Sequence, residues 1–430
     1  MSIDYRFGSL ALSGLLAFAT LARAEGKQDE KKDEPRSLVI YADHVFTGAG
    51  SNYDGGMVTT SGRKIGLVSP NRAGGDDAGK PELRCFAITP GLIDASVRIT
   101  PGLVSVEQSN EVNPAMRVAE SLDPYANAWD AQVSNGVTTV LVNPLDQNVI
   151  GGLGVVLKTA GPESIAARTV KADAVLRGAM GQQASQGNHA AFGRPTDFYS
   201  RRPTTRMAVE WEWRKAFYDA AASTRDATRK FSGSEQLVAA LKGDLTVGIQ
   251  AWATQDIRTA VFLKEEIERE EEFKNGLNKP RFFIDAAAEA WKEPQLLVRA
   301  RVPVVLPPFP AAGRTRENAF MAWNTAELLR KEGIPFALSS HGLPGAESTL
   351  AMQAGYAMRG GLPFEDALAA VTLTPARLLG VADRVGTIET GKDADLCLWN
   401  GMPFEPSSRI IGVVVDGVLR VDRLAPEKNK

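Results

Sequence analysis

The chain has 430 residues, 44% of them apolar and 23% charged, with 49 Lys and Arg set against 51 Asp and Glu for a formal charge of −2. That balance is ordinary for a globular protein, and it excludes both the basic excess that holds a chain on nucleic acid by counterion release and an acidic solvating tail. The length suits two or three domains, or one barrel with a satellite, and the chain holds only three histidines, His44, His189 and His341.

The first feature is an apolar run from Leu10 to Leu21, preceded by Arg6 and followed by Ala22-Arg23-Ala24. The small-x-small ending predicts a cleaved secretory signal over residues 1–24, and hence an exported protein, periplasmic or secreted. The run is too short to span a bilayer as a helix, which takes about 20 residues. Residues 25–36 (EGKQDEKKDEPR) are nearly all charged or polar and predict a flexible leader. No other segment approaches transmembrane length, so no membrane span is expected once the signal is removed. In an oxidising compartment Cys85 and Cys397 are open to pairing. Without geometry to join them, two separate buried thiols are the preferred reading.

Ser37 to Phe46, Gly56 to Val68 and Arg84 to Ile88 are short β-rich stretches broken by Gly, Asn and Asp. The same texture returns in Val385 to Ile388, Ala394 to Trp399 and Ile410 to Val421. Between them the chain changes character. Short apolar runs at Gly136 to Val140, Leu245 to Ala251, Arg281 to Asp285, Val302 to Leu306 and Phe336 to Ser339 are mostly separated by helical segments, the alternation of a parallel α/β sheet or barrel. Met207 to Ala222 reads as a helix apolar nearly all round, and therefore buried on two sides. Asp256 to Phe273 reads as a helix with a solvated acidic face, and Asp256 as a helix-start residue beside a capping neighbour. Gly151-Gly152-Leu153-Gly154 has no following Gly-Lys-Ser/Thr, so it predicts a tight turn between strands and not a phosphate loop. Arg194, Arg201, Arg202 and Arg206, with Phe198 and Tyr199, read as a salt-bridged surface.

Two β-rich ends flanking an α/β middle predict a barrel inserted into a small sheet domain. Thr89-Pro90-Gly91-Leu92-Ile93-Asp94-Ala95 resembles the end of the first barrel strand of the amidohydrolase superfamily, and Gly136 to Val140 its second. Glu365-Asp366-Ala367-Leu368, Thr372 to Leu379, Gly386 and Gly391-Lys392-Asp393-Ala394-Asp395-Leu396 are similar to its last helices and its return into the β-sandwich. Asn148 to Lys158 and Thr204-Thr205-Arg206-Met207 resemble the imidazolonepropionase-like branch. The resemblance implies a distorted (β/α)8 TIM barrel over 89–383, inserted into a composite β-sandwich of 37–88 plus 384–425. It also implies zinc or another divalent metal at the C-terminal mouth, lowering the pKa of a bound water for attack on amides, lactams and related C–N bonds.

The positions that would hold that metal carry other residues. The first His-x-His reads Ser96-Val97-Arg98, the second reads Gln250-Ala251-Trp252, the next ligand position is Asp285, and His341 stands where the last Asp belongs. Arg177 falls near the lysine that some members carboxylate, and a guanidinium cannot take that role. Zinc needs three or more convergent N, O or S donors, and here only Asp285 and His341 qualify. No cofactor is therefore expected. The sequence predicts a degenerate homologue, a ligand-binding or partner subunit that holds a small molecule in the barrel mouth, as a homo-oligomer or beside an active relative. In that pocket Arg98 pairs with Asp285 to make a fixed cationic site for a carboxylate or carbonyl. The rival is a C–N hydrolase with a metal-free site of Asp285, His341 and Arg98. Ser96 as a nucleophile paired with His341 is a further arrangement, which the spacing does not demonstrate.

Overall fold

The computed structural model describes residues 37–70, 82–97, 107, 109–186, 202–310, 317–342 and 349–424. The signal, the charged leader, Arg98, His189, Arg194, Phe198, Tyr199 and Arg201 lie outside the described residues. Four strands near the start, β1 (Val39–Phe46), β2 (Asn52–Ser61), β3 (Lys64–Ser69) and β4 (Glu82–Pro90), join three near the end, β13 (Leu396–Trp399), β14 (Ile410–Val415) and β15 (Val418–Asp422). They form one seven-stranded sheet in the order β15-β14-β13-β4-β1-β2-β3. The two ends of the chain meet where β13 runs antiparallel to β4, with Leu398 opposite Ile88. Ile40, Val45, Val58, Ile65, Ile88, Leu396, Leu398 and Val414 make its apolar core. Each such side chain, fully buried, contributes roughly 1.5–3 kcal/mol.

The middle of the chain supplies β5 (Leu92–Val97), β6 (Val137–Val142), β7 (Ile150–Lys158), β8 (Thr169–Ala179), β9 (Thr246–Gln250), β10 (Phe282–Asp285), β11 (Val304–Leu306) and β12 (Phe336–Leu338). These eight pair in chain order. A parallel bridge from Val97 to His341 closes the ring. Only β7 runs antiparallel to its neighbours, which distorts the barrel. The glycine-rich stretch expected as a turn lies inside β7. The reason is close approach: a Cβ on Gly152, at φ 127°, would stand 2.4 Å from the Met116 carbonyl oxygen.

Side chains alternate along a strand, so every second residue of a barrel strand faces the interior. A lower interior layer holds Leu141, Val175, Phe283 and Ala337, part of one buried apolar cluster with Ile93, Val156 and Val305. Two residues further along each strand the same face turns polar, giving Asn143, Arg177, Asp285 and Ser339, all buried. On β9 the lower position is Gly248, whose missing side chain is replaced by the Phe283 ring, 2.5 Å from where a Cβ would lie. The upper position is Gln250. Irregular register between β5 and β6 around Asp94 to Val97 lets Asp94 and Ser96 both join the polar layer, as bulges beside functional sites do.

Helix Arg206–Arg225 buries one side through Val209, Trp213, Phe217 and Ala220. The expectation of burial on two sides fails because the second stripe faces outward, with Met207 77% and Trp211 55% exposed. Helix Thr254–Arg269 begins two residues before Asp256, whose carboxylate accepts from Arg206 instead of capping; Thr254 meets Glu289. Arg206 also binds Glu317, so that member of the basic cluster is salt-bridged. Cys85 and Cys397 are both free, and burial pushes each thiol up to about 12. Among the described residues, no helix is long and apolar enough to cross a membrane.

The strand bearing Arg177 is seated by its neighbour. A Cβ on Gly178 would stand 2.1 Å from the Val149 carbonyl oxygen and 2.4 Å from the Trp213 ring. Gly178→Ala is expected to destabilise by about 1–3 kcal/mol, read as a lower urea midpoint at unchanged m-value.

Candidate functional site

The polar layer is organised around one cation. Arg177, on β8, places Nε 2.6 Å from Asp146 Oδ1 and Nη2 3.0 Å from Asp146 Oδ2, a two-pronged contact. The same Nη2 reaches Asp285 Oδ2, on β10, at 2.5 Å. None of the three side chains is exposed. Gln250 Nε2 donates to Asp146 Oδ2 at 2.9 Å, and Ser96 Oγ donates to Asp285 Oδ2 at 2.7 Å. Burial alone would raise the Asp285 pKa. The Arg177 charge, with help from His341 and the Ser96 hydroxyl, outweighs burial and holds the carboxyl well below the usual carboxylate range. Burial opposes the charge on Arg177 as well, but the two carboxylates raise its pKa further, and the guanidinium stays protonated.

Asp94 organises the other side. It accepts from Ser339 Oγ at 2.7 Å, Ser340 Oγ at 2.6 Å and the Ser340 and Ser96 amides. Burial nonetheless pushes its pKa above the ordinary value. The His341 amide donates to Ser339 Oγ at 2.9 Å, and the residue takes a left-handed conformation, φ 53°, as does Ala286 beside Asp285 at φ 57°. Such strained residues persist where the surroundings hold them, commonly at functional sites. His341 Nε2 stands 3.5 Å from Asp285 Oδ1, and the ring meets Trp252 edge to face at 5.8 Å.

Ser96, Arg177, Asp285 and His341 thus come together, with Gln250 joined through Asp146 and Trp252 through the His341 ring. Arg98, expected to pair with Asp285, lies outside the described residues; among those described, Arg177 and Ser96 take Asp285 Oδ2. Arg177 reaches it because β8 and β10 flank β9 and aim their upper interior residues at one another. The Ser96 hydroxyl donates to Asp285 rather than to His341. Asp146 was missed by sequence reasoning. It lies in an aperiodic loop after β6, and its one signal is an acidic residue just past the C-terminal end of a barrel strand.

A divalent ion does not fit these residues. Among those described, no group of three His, Cys, Asp or Glu side chains is placed to hold one. One oxygen of Asp285 is already taken by a guanidinium that would repel a second cation. Among the described residues of this layer, six buried side-chain atoms lack a hydrogen-bond partner: Arg177 Nη1, Gln250 Oε1, Asp285 Oδ1, His341 Nε2 and both Nδ2 and Oδ1 of Asn143.

The comparisons with known proteins bear on the same architecture. A model of the "Amidohydrolase family" matches residues 322–420. Amidohydrolase tasK of Hapsidospora irregularis is 26% identical over 375 residues, 78% of this chain but only 36% of that protein. An imidazolonepropionase of Shewanella oneidensis is 44% identical over 77 residues, 17% of this chain and 19% of the relative. The chain therefore spans well under two thirds of either relative. The crystal structure of an amidohydrolase from Thermotoga maritima MSB8 superposes with a TM-score of 0.78 at 26% identity, covering 90% of this chain and all of that one. A superposition of that extent on an eight-stranded barrel with a composite sheet, together with the family match across the last helices and the return strands, makes the chain a member of the amidohydrolase superfamily.

Proposed function

We propose that the chain is a ligand-binding or partner member of the superfamily, which holds a small molecule at the barrel mouth without metal-activated water. The observation that carries this reading is the Arg177 guanidinium clasped between Asp146 and Asp285. It supplies a fixed positive charge among the residues at the ligand positions, but it has no open coordination site and cannot ionise water. Asp285 is also a poor general base, because proton transfer is most efficient with a pKa near the working pH and Arg177 holds this one far below. The apolar run near the N-terminus supports export, and an active relative or a second copy is the partner this reading invites.

The names of the relatives favour hydrolysis of C–N bonds, so the test must face that alternative. Metal content of the purified full chain is to be measured beside turnover of a panel of dihydropyrimidine, imidazolone and N-acyl substrates. The expected result is no stoichiometric metal, no turnover, and a Tm unchanged by chelator. Stoichiometric zinc or manganese, with turnover abolished by His341→Ala, would overturn the reading.

A further inference from the structure

We propose that Arg206, Asp256 and Glu317 form a proton-operated clasp on the rim of the barrel mouth, one that tightens as pH falls and loosens as pH rises. The inference goes beyond the ligand-binding reading and holds whether the mouth binds or hydrolyses. Its three residues come from different segments past the C-terminal ends of the barrel strands. Arg206 opens the helix Arg206–Arg225, Asp256 lies in the first turn of the helix that follows β9, and Glu317 lies between β11 and β12. Arg206 Nε donates to Asp256 Oδ1 at 2.9 Å, and Arg206 Nη2 donates to Glu317 Oε1 at 2.9 Å. The Gln182 amide, just past β8, donates to the same Glu317 oxygen at 2.7 Å. Four segments are therefore tied together by two carboxylates and one guanidinium.

The carboxylates are crowded. A Cβ on Gly181, at φ 108°, would stand 2.6 Å from Asp256 Oδ2 and 3.0 Å from Glu317 Oε1, so both oxygens converge on one point. Asp256 and Glu317 are buried, whereas the Arg206 side chain that serves both is 42% exposed. Among the described residues, buried Asp256 Oδ2 has no hydrogen-bond partner, so nothing there stabilises its charge. Glu289, on the segment after β10, adds a like charge beside Asp256, although Lys292 and Thr254 hold it. Burial pushes both carboxyls above their ordinary values. Arg206 and, at Glu317, the Gln182 amide offset this only in part, and the Asp256 charge raises Glu317 further. The closed clasp therefore holds a proton more tightly than an open one, in which water solvates both groups. Its stability is fully present below about pH 4 and is lost as pH rises through the closed-state values.

Hydrogen exchange of the full chain between pH 4 and pH 8 tests the clasp, read by mass spectrometry on the peptides that hold Gln182 and Glu317 and corrected for intrinsic rates. Protection of the Gln182 peptide is expected to fall as pH rises, by up to about tenfold per pH unit where one proton is being lost. Glu317→Gln keeps an oxygen for Gln182 and Arg206 without the charge, so its protection should stay high and its pH profile flatten. Should that variant not fold, Asp256→Asn is the second, expected to flatten the same profile. Wild-type protection that is constant or rises with pH would overturn the inference, and so would a variant profile that still follows the wild type. Neither result touches the proposed function, which stands or falls on metal content and turnover.

Discussion

Lys158→Met is expected to destabilise the protein by about 3–5 kcal/mol at neutral pH, the cost of stranding buried charges by removing their partner. Lys158 lies on β7 of the barrel, yet its ammonium is 3.1 Å from Asp393, 2.5 Å from Asp395 and 3.2 Å from Asp416, all on the C-terminal return into the sheet. Its side chain is 3% exposed. Asp393 keeps Lys64 at 2.7 Å and Arg384 at 2.9 Å, whereas Lys158 is the one cation that pairs with Asp395 among the described residues. Two shifts bound the pH window, and a third opposes them in acid: burial raises Asp395 despite Lys158, so the folded state holds that proton more tightly as pH falls. Burial raises Asp393, but Lys158 and its other cations lower it below the ordinary value, so its contribution is present above about pH 4 and lost as pH falls through the folded value. Burial lowers Lys158, but three carboxylates raise it overall, so its contribution is present below about pH 10.5 and lost as pH rises through the folded value. Urea denaturation across that window checks the prediction. Adding Asp395→Asn to Lys158→Met should restore stability, since the stranded charge goes with it. A double variant no more stable than the single one would mean that the network does not join barrel to sheet.

Much of the fold is legible in local pattern. The barrel strands β6, β9, β10, β11 and β12 are short apolar runs, and both β-rich ends announce a sheet that closes through Leu396–Trp399. Pattern fails where a residue's partner lies on another strand. Nothing in the helix at Arg206–Arg225 says that the Met207 and Trp211 stripe faces outward, because apolar periodicity marks a face without naming what covers it. Glycines inside β7 mimic turn punctuation, although the backbone of Met116 requires them. At the site, Ser96, Arg177, Gln250, Asp285 and His341 are visible in the sequence only one residue at a time. The pairing of Arg177 with Asp146 and Asp285 depends on register between β8, β9 and β10, which spacing along the chain does not encode. The sequence offers Arg98, which lies outside the described residues, for the pairing with Asp285; among the described residues the guanidinium that meets Asp285 is that of Arg177.

Arg177→Met should therefore be the most revealing substitution at the mouth, with an expected loss of about 3–5 kcal/mol at pH 8. Methionine fills much of the arginine's volume, so the loss reports the two carboxylates left without their cation more than a cavity. The pH dependence separates the two causes. In the wild-type protein the folded Asp285 pKa lies below the unfolded one, so its contribution is present above about pH 4 and lost only in strong acid. Between pH 8 and pH 5 that group adds no slope. Without Arg177, burial dominates and the folded Asp285 pKa rises above its unfolded value. The folded state then binds the proton more tightly, and stability must increase as pH falls from 8 towards 5. Arg177→Lys should lose less, because an ammonium keeps the charge but cannot span both carboxylates with a planar fork. Equal loss at pH 8 and pH 5 would mean that Arg177 acts by packing alone, and the case for a guanidinium in the place of the superfamily's metal would go with it.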